Sequence, residues 1–106
     1  MNYLKYFESS TTDSIDVTEV DFTGSGDGIK ALYIDGLLEF YGDSYHDDIN
    51  AKILGFIKGL EWIKENYVYP LIIKKNKLKV PDGNPWIERT WDIAEPPPKN
   101  IKDIGI

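Results

Sequence analysis

The clearest hydrophobic pattern of the chain runs over residues 49–67 and has the spacing of an amphipathic helix. At about 100° per residue, its apolar side chains fall within about one third of a turn. These residues are Ile49, Ile53, Phe56, Ile57, Leu60, Ile63 and Tyr67. Just ahead of this stretch, Ser44 and Asp47 have the spacing of a capping box. The pattern therefore predicts one long helix whose apolar face packs on a sheet.

The opposite side of the predicted helix carries small residues and one large ring, at Gly55, Gly59 and Trp62. An interior glycine lowers helix stability by about 1 kcal/mol relative to alanine. The same spacing of two glycines lets another backbone approach closely. Two interpretations follow: this side contacts another subunit or a protein partner, or a loop of the same chain covers it.

Shorter apolar segments, rich in β-branched and aromatic residues, predict strands. They span residues 2–8, 15–23, 29–34, 37–42, 71–80 and 86–93. Asp35-Gly36 predicts a tight hairpin turn, because both turn positions need positive φ. Residues 81–84 predict a second turn. The glycine-rich residues 24–28 lead into a strand rather than a helix, which favours a hairpin loop over a phosphate-binding loop.

Two of these segments have more than one interpretation. Apolar positions change parity between Val17 and Val20, which predicts a bulge near residues 18–19, with a short helical turn as the alternative. Residues 71–80 form either one strand or a small hairpin that turns at Lys75-Asn76.

Together these elements predict one α+β domain over residues 1–95. We expect a mostly antiparallel sheet of about four to six strands with one amphipathic helix on one face. Tyr33, Phe40 and Phe56 are the expected core aromatics.

Residues 96–106 form a proline-led tail. Three consecutive prolines stiffen its start into an extended spacer. Ile101 and Ile104 follow, and a tail without structure would not need them. The tail therefore either folds back onto its own sheet or docks on a neighbouring subunit.

Composition narrows the class of protein. With 106 residues, of which 42% are hydrophobic, there is room for one core. The absence of cysteine excludes disulfides and thiolate metal sites. The N-terminus lacks a signal-type apolar segment, and no apolar run reaches the roughly 18 residues of a membrane span. We therefore expect a cytoplasmic protein without membrane contact.

Charge is unevenly distributed along the chain. The net charge of −6 disfavours general nucleic-acid binding and favours partners with a basic surface. Residues 1–69 have a net charge of −8 and residues 70–106 a net charge of +2. The one basic cluster, at Lys74, Lys75, Lys77 and Lys79, either protects an edge strand or binds an anion.

The single histidine gives little indication of catalysis. His46 lies within a few residues of Ser44 and Asp47, too close in sequence for a catalytic triad to converge. A metal site with Asp43 matches no calcium pattern, and acidic residues near a helix start account for the same sequence. We therefore predict no catalytic residues, no metal site and no cofactor.

Aromatic residues are abundant, with 3 tryptophans and 7 tyrosines. Such side chains provide binding energy at protein interfaces and stack on planar ligands. We predict a non-enzymatic inhibitor or immunity-type protein that blocks a protein partner. The alternative is a homo-oligomer that sequesters a nucleotide-like ligand at a subunit junction. Candidate ligand- or partner-binding residues are Trp62, Trp86, Arg89, Trp91, Tyr45, His46, Lys74 and Lys75, and candidate oligomer contacts are Gly55, Gly59, Trp62, Ile101 and Ile104.

Overall fold

The described residues form four strands, two α-helices and one short 3-10 helix. The computed structural model describes residues 13–24, 28–44, 48–67, 70–91 and 95–106. Its elements are β1 (Asp13–Asp21), β2 (Ile29–Ile34), β3 (Leu37–Asp43), α1 (Ile49–Asn66), β4 (Leu71–Lys79), α2 (Pro85–Trp91) and the 3-10 helix (Ile101–Ile104). The predicted α+β class is confirmed. The strand predicted at residues 2–8 lies outside the described residues.

The sheet has the strand order β3-β2-β1-β4 and is mixed. β1 pairs antiparallel with β2, and β2 pairs antiparallel with β3. β1 and β4 are parallel, so the prediction of a mostly antiparallel sheet is wrong. The reason is the crossover: α1 returns the chain to the opposite end of the sheet, and β4 therefore runs in the same direction as β3 and β1.

The β2–β3 hairpin has the predicted turn. Asp35 has φ 51° and Gly36 has φ 82°, which is the conformation that selects Asp-Gly. The Asp35 carboxylate also accepts a hydrogen bond from the backbone N–H of Asp16 at 2.9 Å. β1 and β2 pair antiparallel, as a hairpin requires, although residues 25–27 of the predicted loop lie outside the described residues. The predicted turn at residues 81–84 is present, with the Asn84 backbone N–H donating to the Pro81 carbonyl at 3.1 Å. β4 is one uninterrupted strand, so Lys75-Asn76 is not a turn.

Both faces of the sheet are covered, and this explains the change of parity in β1. Val17 belongs to a core cluster with Ile49 and Ile53 of α1. Val20 belongs to a second cluster with Ile104, on the opposite face. Along β1 the pairing with β4 is continuous, so the bulge predicted near residues 18–19 is wrong. The strand needs no bulge because each half points its apolar side chains into a different layer.

The bulge of this sheet lies instead at the β2–β3 pair. Leu32 pairs with Phe40, whereas the adjacent Tyr33 pairs with Leu38, which leaves Glu39 as the extra residue. Phe40 therefore packs in the cluster that contacts α1, and Leu38 packs in the other. One inserted residue lets β3 supply both cores.

α1 confirms the predicted helix, from Ile49 to Asn66. The last two members of the predicted core-facing stripe, Ile63 and Tyr67, are exposed instead, because the C-terminal end of the helix extends past the core cluster. Ile49 and Ile53 are buried, and the Phe56 ring meets the Phe40 ring edge-on at 5.8 Å. The N-cap residue is Asp48, without a side-chain cap hydrogen bond. Ser44 does not cap the helix, because its hydroxyl accepts a hydrogen bond from the backbone N–H of Gly28 at 3.2 Å. Asp47 lies outside the described residues.

α2 replaces the strand predicted at residues 86–93. Asn84 starts it by accepting the Trp86 backbone N–H on its side-chain oxygen at 2.9 Å. Pro85 occupies the first helical position, where a missing N–H has no cost. The Thr90 hydroxyl donates to the Trp86 carbonyl at 2.7 Å. The prediction of a single helix is therefore wrong: α2 covers the sheet face opposite α1.

Residues 97–104, which we call the C-terminal strap, pack on the same face as α2. The Tyr33 hydroxyl donates to the Pro98 carbonyl at 2.7 Å, and Ile104 is buried in the core cluster. Ile101 packs at the margin of that cluster. Within the single chain the tail thus folds back onto its own sheet, while exchange with a neighbouring subunit stays a prediction.

Candidate functional site

The surface of α1 that faces away from the sheet, together with Tyr67 directly after the helix, is here called the outer face of α1. It comprises Leu54, Gly55, Gly59, Trp62 and Tyr67. A Cβ atom placed on either glycine would have none of the described heavy atoms of other elements within 4 Å. Leu54, Trp62 and Tyr67 are exposed by 54%, 55% and 68%. The loop interpretation required another part of the chain to cover the two glycines. The described residues do not cover them.

The aromatic end of this face is ordered by a ring contact. Trp62 meets Tyr67 edge-on, with ring centroids 5.2 Å apart. Asn66 donates from its side-chain amide to the Trp62 carbonyl at 2.8 Å, within the last turn of the helix. The two rings therefore present one apolar patch at the C-terminal end of α1. No described helix is long and apolar enough to cross a membrane.

The charges along α1 nearly balance. The exposed charged side chains of the helix are Lys52, Lys58, Lys64, Glu61 and Glu65. Because cations and anions alternate around the apolar patch, local charge does not select a strongly basic or acidic partner there.

The second predicted aromatic group lies on α2, across the sheet from Trp62. The Arg89 guanidinium stacks on the Trp86 ring, with its central carbon 3.8 Å from the centroid. Its Nε donates to a Glu95 carboxylate oxygen at 2.7 Å. The Trp86 indole N–H donates to the Asp103 carbonyl at 3.2 Å. Trp86 and Arg89 are therefore engaged within the chain, whereas Trp91 is 61% exposed.

The predicted basic cluster is divided between the two faces of β4. Side chains alternate along a strand, so Lys74 points to one face and Lys75 to the other, together with Lys77 and Lys79. In the parallel register Asp16 lies opposite Lys74, Glu19 opposite Lys77, and Asp21 opposite Lys79. The acidic β1 and the basic β4 thus compensate each other, at an edge of the described sheet. This arrangement supports the edge-protection interpretation over a single anion site.

Two of the candidate binding residues precede α1 in the sequence. Tyr45 and His46 lie outside the described residues. Among the residues that are described, no three acidic or histidine side chains are grouped to hold a metal ion.

A groove that sequence reasoning missed lies along the edge of β3 that faces away from β2. Its volume is about 500 Å³, and it is lined by Leu37, Leu38, Glu39, Phe40, Tyr41 and Lys99. Leu37 and Tyr41 are exposed. The sequence contains no local signal for this groove, because it depends on where the C-terminal strap leaves the edge of the sheet.

Comparisons with models of protein families, with curated proteins and with solved structures give no match for this chain. Its function is therefore inferred from its own residues and geometry.

Proposed function

We propose that the chain is a non-enzymatic binding protein that blocks a protein partner through the outer face of α1. The observation that supports this is the grouping of three exposed apolar side chains with two uncovered glycines on one helix. Trp and Tyr contribute strongly to interface energy when a partner desolvates them. Gly55 and Gly59 let a partner backbone approach the helix closely. Each glycine lowers the stability of α1, which is the expected cost of keeping this surface open.

The net charge of −6 acts at longer range. The acids of β1 are matched by lysines of β4, so the steering effect comes from the whole molecule. We expect the partner to have a basic surface and to associate more slowly as salt concentration rises.

A capture experiment with matched variants tests the proposal. Immobilised wild type, Trp62→Ala, Gly55→Leu and Trp91→Ala are exposed to the same lysate, and retained proteins are quantified by mass spectrometry. Trp91 is the control because it is a similarly exposed tryptophan on the other side of the sheet. We expect one protein to be retained by wild type and Trp91→Ala and lost with the two α1 variants. Retention that is equal for all four proteins, or absent for all, contradicts the proposal.

A second copy of the chain is the other partner that this surface fits, through Gly55, Gly59 and Trp62. Native mass spectrometry of the purified protein distinguishes the cases. A dimer that dissociates with Gly55→Leu while the fold is retained assigns the face to self-association. If wild type and Gly55→Leu are both monomers, the outer face of α1 is assigned to a different protein as partner.

The ligand-sequestering alternative has weaker support. It requires Arg89 and Trp86 to bind a nucleotide-like compound, but each already has a partner within the chain. Among the described candidates on that side, Trp91 is the exposed ring, at 61%. Heating the purified protein and recording the ultraviolet spectrum of the supernatant tests it: release of an absorbing compound from an oligomer supports sequestration.

A further inference from the structure

The two edges of the described sheet are protected to different degrees. β4 carries four lysines, a common protection against pairing with other chains. β3 has no lysine, and its exposed side chains are Leu37, Glu39 and Tyr41. The lysines that protect the β4 edge therefore have no counterpart within β3.

The start of β3 is already paired with a segment of the same chain. Asn100 forms an antiparallel bridge with Leu37, and the Leu38 backbone N–H donates to the Lys99 carbonyl at 2.8 Å. The Ile101 backbone N–H donates to the Gly36 carbonyl at 2.8 Å. The C-terminal strap thus acts as a short added strand. It leaves the edge at Pro98, whose nitrogen has no hydrogen to donate.

Beyond the strap, the outer edge of β3 presents the backbone groups of Tyr41. The Ser44 backbone N–H donates to the Gly28 carbonyl at 2.7 Å, which makes these two residues a hydrogen-bonded pair of the β2–β3 ladder. Because hydrogen-bonded and non-hydrogen-bonded pairs alternate, Tyr41 directs its N–H and C=O away from β2. Among the described residues, neither group of Tyr41 has a partner outside the sheet. A donor and an acceptor therefore stand beside an apolar groove.

The charge of this edge indicates the kind of strand that fits it. Asp35 at the turn and Glu39 in mid-strand are exposed acids. Among the described residues that line the groove, Lys99 is the only cation, and it lies at the end occupied by the strap. An incoming segment meets mainly negative charge and apolar side chains.

We propose that β3 accepts an extended segment of a protein partner, in which apolar residues alternate with Lys or Arg, as an added antiparallel strand. Tyr41 exchanges two backbone hydrogen bonds with the segment. The apolar side chains of the partner segment enter the groove against Leu37 and Phe40, and a basic side chain of the segment pairs with Glu39. The strap fixes where this strand ends, because Lys99 already occupies the position opposite Leu38. This site is separate from the outer face of α1 and does not depend on it.

Nuclear magnetic resonance with the isotope-labelled full chain tests the proposal. The probes are two blocked peptides of the same length, one of alternating Val and Lys and one of alternating Val and Glu. We expect the Val-Lys peptide to shift backbone signals of β3 between Glu39 and Asp43, and to bind about tenfold more tightly than the Val-Glu peptide. Shifts that map to β4 or α1 instead, or a preference for Val-Glu, overturn the proposal.

Two pairs of variants locate the contact. Tyr41→Pro removes the outward N–H without breaking the ladder to β2, whereas Tyr41→Val keeps it, so only the first should weaken binding, by about tenfold. Glu39→Lys should reverse the preference toward the Val-Glu peptide, and this result does not depend on how well the proline variant folds. Equal binding by both Tyr41 variants, or an unchanged preference in Glu39→Lys, overturns the proposal. Binding that appears only when residues 1–12 are deleted assigns the edge to the chain's own N-terminal segment and also overturns it.

Discussion

Tyr33 shows how one residue joins the sheet to the C-terminal strap. Its ring is buried in β2, and its hydroxyl donates to the carbonyl of Pro98 in the strap. Burial raises the pKa of Tyr33 well above its ordinary value of 10.0. The phenol is therefore a neutral donor in the folded state wherever the sheet is intact.

Tyr33→Phe should lower the free energy of unfolding by about 1–3 kcal/mol, because the buried Pro98 carbonyl loses its donor. Urea unfolding followed by tryptophan fluorescence measures this. Tyr41→Phe is the matched control at an exposed ring and should change stability by less than about 0.5 kcal/mol. Equal effects in the two variants would contradict the assigned role of the hydroxyl.

The same residue predicts a loss of stability in alkali. Its pKa is raised on folding, so above about pH 10 the unfolded chain loses this proton before the folded chain does. The contribution of Tyr33 to the free energy of unfolding is complete below that pH. It declines as pH rises further, by up to about 1.4 kcal/mol per pH unit. Urea unfolding between about pH 9 and pH 11 should show a steeper decline in wild type than in Tyr33→Phe. Identical slopes would remove Tyr33 as the cause.

At the scale of single elements, α1 and the β2–β3 hairpin were predictable because their signals are local. Helical periodicity covers five turns, and Asp-Gly specifies its turn by itself. α2 was missed because its short sequence alternates like a strand, and the informative signal was Asn84 followed by Pro85. The bulge was misplaced because β1 contributes to two cores, and a sequence with one predicted helix gives no reason to expect a second layer.

The glycines of α1 give a prediction at this scale. Gly55→Ala and Gly59→Ala should each raise the free energy of unfolding by about 1 kcal/mol, since the added methyl meets nothing in the described chain. Thermal unfolding monitored by circular dichroism measures the change. Destabilisation instead would mean that another part of the chain packs closely there.

Asn84 gives the corresponding prediction for α2. Its side-chain oxygen caps Trp86, and its amide donates to the Ile104 carbonyl at 3.0 Å. Asn84→Ala should destabilise the protein by about 1–2 kcal/mol. Asn84→Asp keeps the cap but loses the donor, so its cost in urea unfolding should be smaller. If Asn84→Asp lowers the free energy of unfolding as much as Asn84→Ala does, the stabilisation comes from the hydrogen bond to Ile104 and not from the cap.

For the whole molecule, the sheet lies between α1 on one side and α2 with the strap on the other. Local sequence signals could not place β4 beside β1, since the two strands are separated by β2, β3 and α1. Without that pairing, the sequence shows only that its two parts differ in net charge, whereas the register brings β1 acids opposite β4 lysines. The candidate tryptophans likewise form two groups on opposite sides rather than one site.

The strap gives the prediction at this scale. Ile104→Ala should cost about 2–5 kcal/mol, because Ile104 is buried between layers. Ile106→Ala, at a residue 52% exposed, is the control and should be nearly neutral. Chemical unfolding of both variants measures the difference. Near-equal stabilities would show that the terminal residues are not part of the cooperative fold.

The parallel pairing of β1 with β4 also has a consequence for biosynthesis. As the polypeptide leaves the ribosome, β1 emerges early, whereas the strand that completes its second side is translated only after the crossover helix. Until then one margin of β1 lacks its native neighbour, and closing that long-range contact is slow compared with forming a local hairpin. The nascent chain therefore passes through an interval in which this strand is open to pairing with other molecules, and translation speed across α1 sets how long that interval lasts.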